Sequence, residues 1–194
     1  MLIKDVFKEV ITGYNINNSV TDDNHVEDMY TLQKDSIQYT NIIKNRLVKK
    51  RFSTDMKEKY YMQPRDILIF VKPPYKVGTY RFNKELKLII PNNFIILRGI
   101  DMDKYSYIFV TNYLEKIGIN KFVNETNKKG NLNIEDIKLI ELPNISKEEQ
   151  MKISELINSI NERSSIYSTI LENDDKIIKF AIKKIIGDKD EWTI

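Results

Sequence analysis

The stretch Phe70-Val-Lys72-Pro73-Pro74-Tyr75-Lys76-Val-Gly78 carries the most suggestive chemistry in the chain. An apolar run, Ile67 to Val71, leads straight into Lys-Pro-Pro-Tyr. A strand end followed by Pro-Pro-Tyr is a setting for methylating an adenine amino group. That chemistry needs Asp, Asn or Ser before the prolines, to accept a hydrogen bond from the amino group. Lys72 has only donors. It also needs a site for the methyl donor, usually a Gly-rich turn after a first strand. The glycines are Gly13, Gly78, Gly99, Gly118, Gly130 and Gly187, and no two lie within ten residues of each other. Methyl transfer is therefore rejected. The segment reads instead as a stiff, cationic, aromatic loop at a strand end, suited to lying against DNA.

Other catalytic patterns are weaker. His25 is the one histidine and sits among Asp22, Asp23, Glu27 and Asp28. A solvated turn explains that grouping better than a metal site. Glu85-Leu86-Lys87 has the acid-x-Lys letters of a paired-carboxylate nuclease, but no partner acid stands on a preceding strand. No Ser/His/Asp arrangement can be drawn. The absence of Cys removes disulfides, Cys-based zinc sites and a thiol nucleophile. The expectation is a non-catalytic chain with no cofactor and no metal.

Charge points the same way. Residues 1–142 hold 23 Lys and Arg against 18 Asp and Glu, whereas 143–194 hold 8 against 10. The excess of cations thus lies in the first part. Its densest window is Lys44-Asn-Arg46-Leu-Val-Lys49-Lys50-Arg51, five cations without an acid, which suits phosphate contact.

The elements that position these residues fall into two parts, and the fold class is α+β. Residues 1–142 read as a mixed α and β recognition domain. Val6–Ile11 is a short apolar segment, and a polar loop follows Tyr14. Tyr30–Gln33 and Ile37–Ile43 read as short strands or turns, and Ile67–Val71 is the strongest strand signal. Leu86–Ile90 and Phe94–Leu97 read as a strand pair about the Pro91-Asn92-Asn93 turn. Tyr105–Ile117 has helical spacing, with Gly118 as its stop. Asn124–Asn133 reads as polar loop and Ile134–Glu141 as a last strand.

Residues 143–194 read as a long spacer helix. Ser146-Lys-Glu-Glu149 is a capping box. From there to Ile186 there is no Pro and no Gly. Some 40 residues at 1.5 Å each would reach roughly 60 Å. Ile153, Leu156, Ile160, Tyr167, Ile170, Ile177, Ala181 and Ile185 recur at steps of mostly three and four, a heptad seam. Arg163 and Asp174 interrupt it. One helix cannot bury such a stripe alone, so a partner helix is expected. The start of the chain has no signal-peptide character and no run is apolar enough to span a membrane, so a cytoplasmic protein with no membrane partner is expected.

Several pieces now align in order. They are Asp66-Ile-Leu-Ile69, Asn93-Phe94-Ile-Ile-Leu97-Arg98, the helix ending at Gly118, Gly130-Asn131, and Leu142-Pro143-Asn-Ile-Ser-Lys-Glu-Glu-Gln150-Met-Lys-Ile153. The chain resembles the specificity (S) subunit of type I restriction–modification systems. That family has a GDIL strand, an F-x-x-L-R strand and a PLPPL-x-x-Q-x-x-I boundary opening a long helix. Arg65 stands where the family has Gly, and Asn144 where it has the second Pro.

The resemblance implies half of such a subunit: one target recognition domain and one helix. It implies a homodimer through the C-terminal helix, in the manner of a coiled coil. Such a dimer would read an interrupted palindrome in double-stranded DNA and position a DNA adenine methyltransferase subunit there, with a translocating nuclease subunit as an optional further partner. Within that frame Lys72, Tyr75, Lys76 and Arg81 are the expected contacts of the first loop. Asn15 and Asn17 follow, then Lys128, Lys129 and Asn131. Lys44, Arg46, Lys49, Lys50 and Arg51 would meet phosphates. The alternatives are a stand-alone DNA-binding regulator or defence adaptor of the same fold, a nuclease, and a truncated relic.

Overall fold

The computed structural model describes residues 1–16, 26–80 and 86–186. It divides into two units, Met1–Met151 and Lys152–Ile194. The first is built on two sheets. Its strands are β1 (Phe7–Thr12), β2 (Val26–Thr31), β3 (Ile37–Gln38), β4 (Asn41–Ile42), β5 (Val48–Ser53), β6 (Ile67–Phe70), β7 (Lys76–Thr79), β8 (Leu88–Ile89) and β9 (Phe94–Ile100). One sheet runs β1-β9-β6-β7-β4-β3 and the other β5-β2-β8.

β6 sits inside the larger sheet and is buried on both faces. Successive side chains on a strand point to opposite sides. Ile67 and Ile69 accordingly join Val77, Ile95 and Leu97 in one core, closed by helix α1 (Tyr107–Tyr113) and α3 (Ile134–Lys138) through Phe109, Val110 and Ile137. Leu68 and Phe70 join Phe94, Ile96, Leu88 and Ile90 in a second core on the other face. Burying a side chain of this size contributes about 1.5–3 kcal/mol, so the ILIF run anchors both layers.

Four local expectations are corrected. Leu88–Ile89 and Phe94–Ile100 do not pair: β8 runs parallel to β2, while β9 lies antiparallel between β1 and β6. The turn at Pro91 passes the chain from one sheet to the other. Gly118 does not stop the helix. A wider, π-type turn, Leu114–Gly118, joins α1 to α2 (Ile119–Thr126), and Gly118 itself is helical. It is needed because a Cβ there would lie 2.8 Å from Tyr113 Cε1. The expected loop at 124–133 begins late, since α2 extends to Thr126 and Asn127 caps it with φ of 49°. Ile134–Glu141 is not a strand; it opens as α3, because Asn133 accepts from the Asp136 N–H at 2.9 Å and its own N–H donates to the Asp136 carboxylate at 2.8 Å.

The opening of the long helix is as expected. α4 spans Lys147–Ile186. Ser146 donates its N–H and hydroxyl to Glu149 and accepts the Glu149 N–H, a complete capping box. Lys147 to Met151 still belong to the first unit.

Candidate nucleic-acid interface

The structure ties together two loops that the sequence offered separately. Tyr75 Oη donates to the Gly130 carbonyl at 2.7 Å, and the Leu132 N–H donates to the Val71 carbonyl at 2.9 Å. The Lys72–Tyr75 loop and the 127–131 loop therefore form one edge. Lys72, Lys129 and Asn131 are exposed on it. Lys128 is turned inward to Asp136, 2.8 Å away. Tyr75 is half-buried, its hydroxyl used in joining the loops.

Lys76 is also used internally. It lies on β7, and its ammonium donates to the carbonyls of Ile37 at 2.9 Å and Lys34 at 3.4 Å. That pins the segment before β3 to the main sheet. Asn17 and Arg81 lie outside the described residues, as do His25 and Glu85. Asn15 is exposed beside Tyr14, whose backbone bonds to Ile90 and Asn92.

The basic window splits in two. Lys44 and Arg46 occupy a single 3₁₀ turn and are exposed; Arg46 donates to the Asp35 carbonyl at 3.3 Å. Lys49, Lys50 and Arg51 lie exposed on β5, an edge strand of the smaller sheet. Lys49 stands over the Tyr30 ring at 5.3 Å, and Arg51 faces Asp28 across the β2 register. Lysines on an edge strand also discourage strand addition by other chains, so these cations have a structural use besides any contact with phosphate.

Two residues gain roles that sequence reading did not assign. Asp66 is fully buried and Arg98 nearly so. Arg98 grips Asp66 with two parallel bonds, Nε to Oδ1 at 2.9 Å and an Nη to Oδ2 at 2.7 Å. The same guanidinium holds the carbonyls of Tyr61 at 2.8 Å and Lys59 at 3.3 Å, and Asp66 also accepts the Gln63 N–H at 2.8 Å. Burial pushes the Asp66 carboxyl above its ordinary value, against the pull of Arg98 and the Gln63 N–H. The signal was present: Asp66 and Arg98 are the polar letters of the two strand motifs. Arg65 keeps the tight turn despite its Cβ, at φ of 68°.

Gln150, the Gln of the boundary motif, is buried. Its Oε1 accepts the Ser106 N–H at 2.9 Å and its Nε2 donates to Lys104. Lys147 donates to the carbonyls of Met102 and Tyr105. The start of α4 is thus bolted to the start of α1. Further along, Ile153, Leu156, Ile160, Tyr167, Ile170, Ile177 and Ala181 are all exposed. Ile166, Leu171, Ile178, Phe180 and Ile182 are exposed as well and broaden the stripe.

No cluster of metal-ligating side chains occurs among the described residues, and no helix among them is long and apolar enough to cross a membrane.

No family model matches this chain, and no curated protein does. Solved structures do. A chain from a structure of the complex assembly and conformational transition of the type I R-M system is 15% identical, with a TM-score of 0.59 over 93% of this chain. The HsdS subunit from Thermoanaerobacter tengcongensis is 16% identical, with a TM-score of 0.54 over 88%. The fold is therefore that of the type I specificity subunit, α+β with a long C-terminal helix, as the sequence motifs implied. The chain spans about two fifths of the length of each, 42% and 38%.

Proposed function

We propose that this chain is a sequence-specific DNA-recognition subunit of a type I restriction–modification system and performs no chemistry itself. The observation that carries the reading is the fold likeness, which covers the recognition domain and the helix together. The first unit, about residues 1–142 with the helix start, reads double-stranded DNA. The loop edge of Lys72, Lys129 and Asn131 is one contact region, with Lys44, Arg46, Lys49, Lys50 and Arg51 as phosphate contacts. Arg and Asn can pair bidentately with guanine and adenine edges; Lys more often holds phosphate.

Residues 143–194 serve as spacer and dimerisation helix. The exposed apolar residues of α4 support pairing with a second copy. A two-fold dimer reads a two-fold target, here two inverted half-sites with a fixed gap. The dimer then positions a DNA adenine methyltransferase subunit, with or without a nuclease subunit, in the cytoplasm where the DNA lies.

The experiment is the mass of the full chain in solution by light scattering. A value near twice 23.0 kDa is expected. A clean monomer would remove the symmetric-target mechanism and assign the helix to another protein. A stand-alone regulator is separated from this reading by whether a methyltransferase subunit co-purifies and gains site selectivity.

A further inference from the structure

β3 and β4 are joined by a two-residue turn in which both central residues are left-handed, Tyr39 at φ of 48° and Thr40 at 62°. Such turns favour Asn-Gly, because a Cβ crowds the backbone there. A bulky aromatic and a β-branched residue are poor occupants. The turn is nevertheless held firmly. Thr40 is 4% exposed, and its carbonyl accepts both the N–H and the hydroxyl of Thr79, at 2.9 and 3.2 Å. Tyr39 gains nothing comparable. It is 73% exposed, and its hydroxyl makes no hydrogen bond within the described residues. A strained residue held rigid by its neighbours, with no internal contact for its ring, points to an external partner.

The surroundings indicate which. The turn bearing Lys44 and Arg46 is clamped to the base of this same hairpin. Ser36 Oγ donates to the Arg46 carbonyl at 2.8 Å, the Ile43 N–H donates to the Ser36 carbonyl at 2.8 Å, and Arg46 reaches the Asp35 carbonyl. Exposed cations thus stand roughly 7 Å, two strand residues, behind an exposed ring. Phosphates suit the cations, and base surfaces suit the ring. We propose that Tyr39 is a base-contacting residue, whose ring enters a groove of duplex DNA while Lys44 and Arg46 hold the flanking phosphates. This rests on the DNA-recognition reading above.

The test uses the full chain, a random-sequence duplex pool, and the duplexes that the wild-type chain retains from it. Tyr39→Gly and Tyr39→Phe are compared with wild type for duplex affinity and thermal midpoint. Glycine takes the left-handed conformation freely, so Tyr39→Gly should keep or raise the midpoint. It should bind the retained duplexes about tenfold more weakly, the size of one lost aromatic contact with a base. Tyr39→Phe should match wild type in both. Wild-type affinity in Tyr39→Gly would overturn the proposal and leave DNA recognition standing. A lowered midpoint in Tyr39→Gly would make the ring structural and overturn it too. An equal loss in Tyr39→Phe would overturn the ring as the contacting group. A wild-type chain that retains no duplex would overturn DNA recognition and this proposal together.

Discussion

Replacing Arg98 with Met is expected to be among the most damaging single changes in the recognition domain. Met fills much of the volume of the Arg stem, so packing is largely kept. What is lost is the partner of a carboxylate with no exposed surface. Asp66 would retain one hydrogen bond, from the Gln63 N–H at 2.8 Å, and lose both from the guanidinium. Removing one member of a buried ion pair costs about 3–5 kcal/mol. The carbonyls of Lys59 and Tyr61 would lose their donor as well. For a unit of this size 1 kcal/mol corresponds to about 2–4 °C, so the midpoint should fall by roughly 10 °C. The loss should depend on pH with a definite sign. Burial already lifts Asp66 above its ordinary value, and without Arg98 it would rise further. A group with a raised folded-state value stabilises while protonated and loses that stability as pH rises through the raised value. The difference from wild type should therefore be largest at neutral pH and shrink toward acid. Urea unfolding of both proteins across that range is the assay. A change below about 1 kcal/mol at neutral pH would mean that no uncompensated buried charge was created, and would refute the reasoning.

Other outcomes follow from the same geometry. Burial raises the Glu115 carboxyl although it accepts the Val77 N–H at 2.6 Å. Stability from its protonated form is present in acid and lost as pH rises through the raised value. Glu115→Gln keeps the acceptor without the charge, so its thermal midpoint should gain on wild type from about pH 4 to about pH 7; a widening deficit would contradict this. Lys72→Ala and Lys129→Ala should each lower the slope of log affinity against log salt by about 1, uniformly over DNA sequences. An unchanged slope would place phosphate elsewhere. Ile160→Asp puts a charge in the exposed stripe of α4 and should convert a dimer to monomer by light scattering; an unaltered dimer would locate the interface off this seam.

Legibility in the sequence tracked how local the cause was. The Ile67–Phe70 strand and the Ser146–Glu149 helix start were readable because a run of apolar β-branched residues and a capping box act within a few residues. The Asn133–Asp136 box was equally local but was masked by the apolar Ile134, Ile137, Leu139 and Ile140, which suit either element. Gly118 misled because a packing constraint against Tyr113 and a helix stop select the same residue. The pairing of β9 with β1 and β6, and of β8 with β2, was set by contacts distant in sequence. The candidate interface was legible only as residue types. Lys76 looks like any loop cation until the carbonyls of Lys34 and Ile37 are seen around it. Tyr39, between Gln38 and Thr40, carries no turn signal, because its conformation is imposed from β7.

The most direct test of the central claim is selection of a random-sequence duplex pool by the purified full chain, followed by sequencing of the retained DNA. Recognition by a two-fold dimer should enrich one motif made of two inverted half-sites at a fixed separation. A retained pool with no sequence enrichment, or no retention at all, would contradict it.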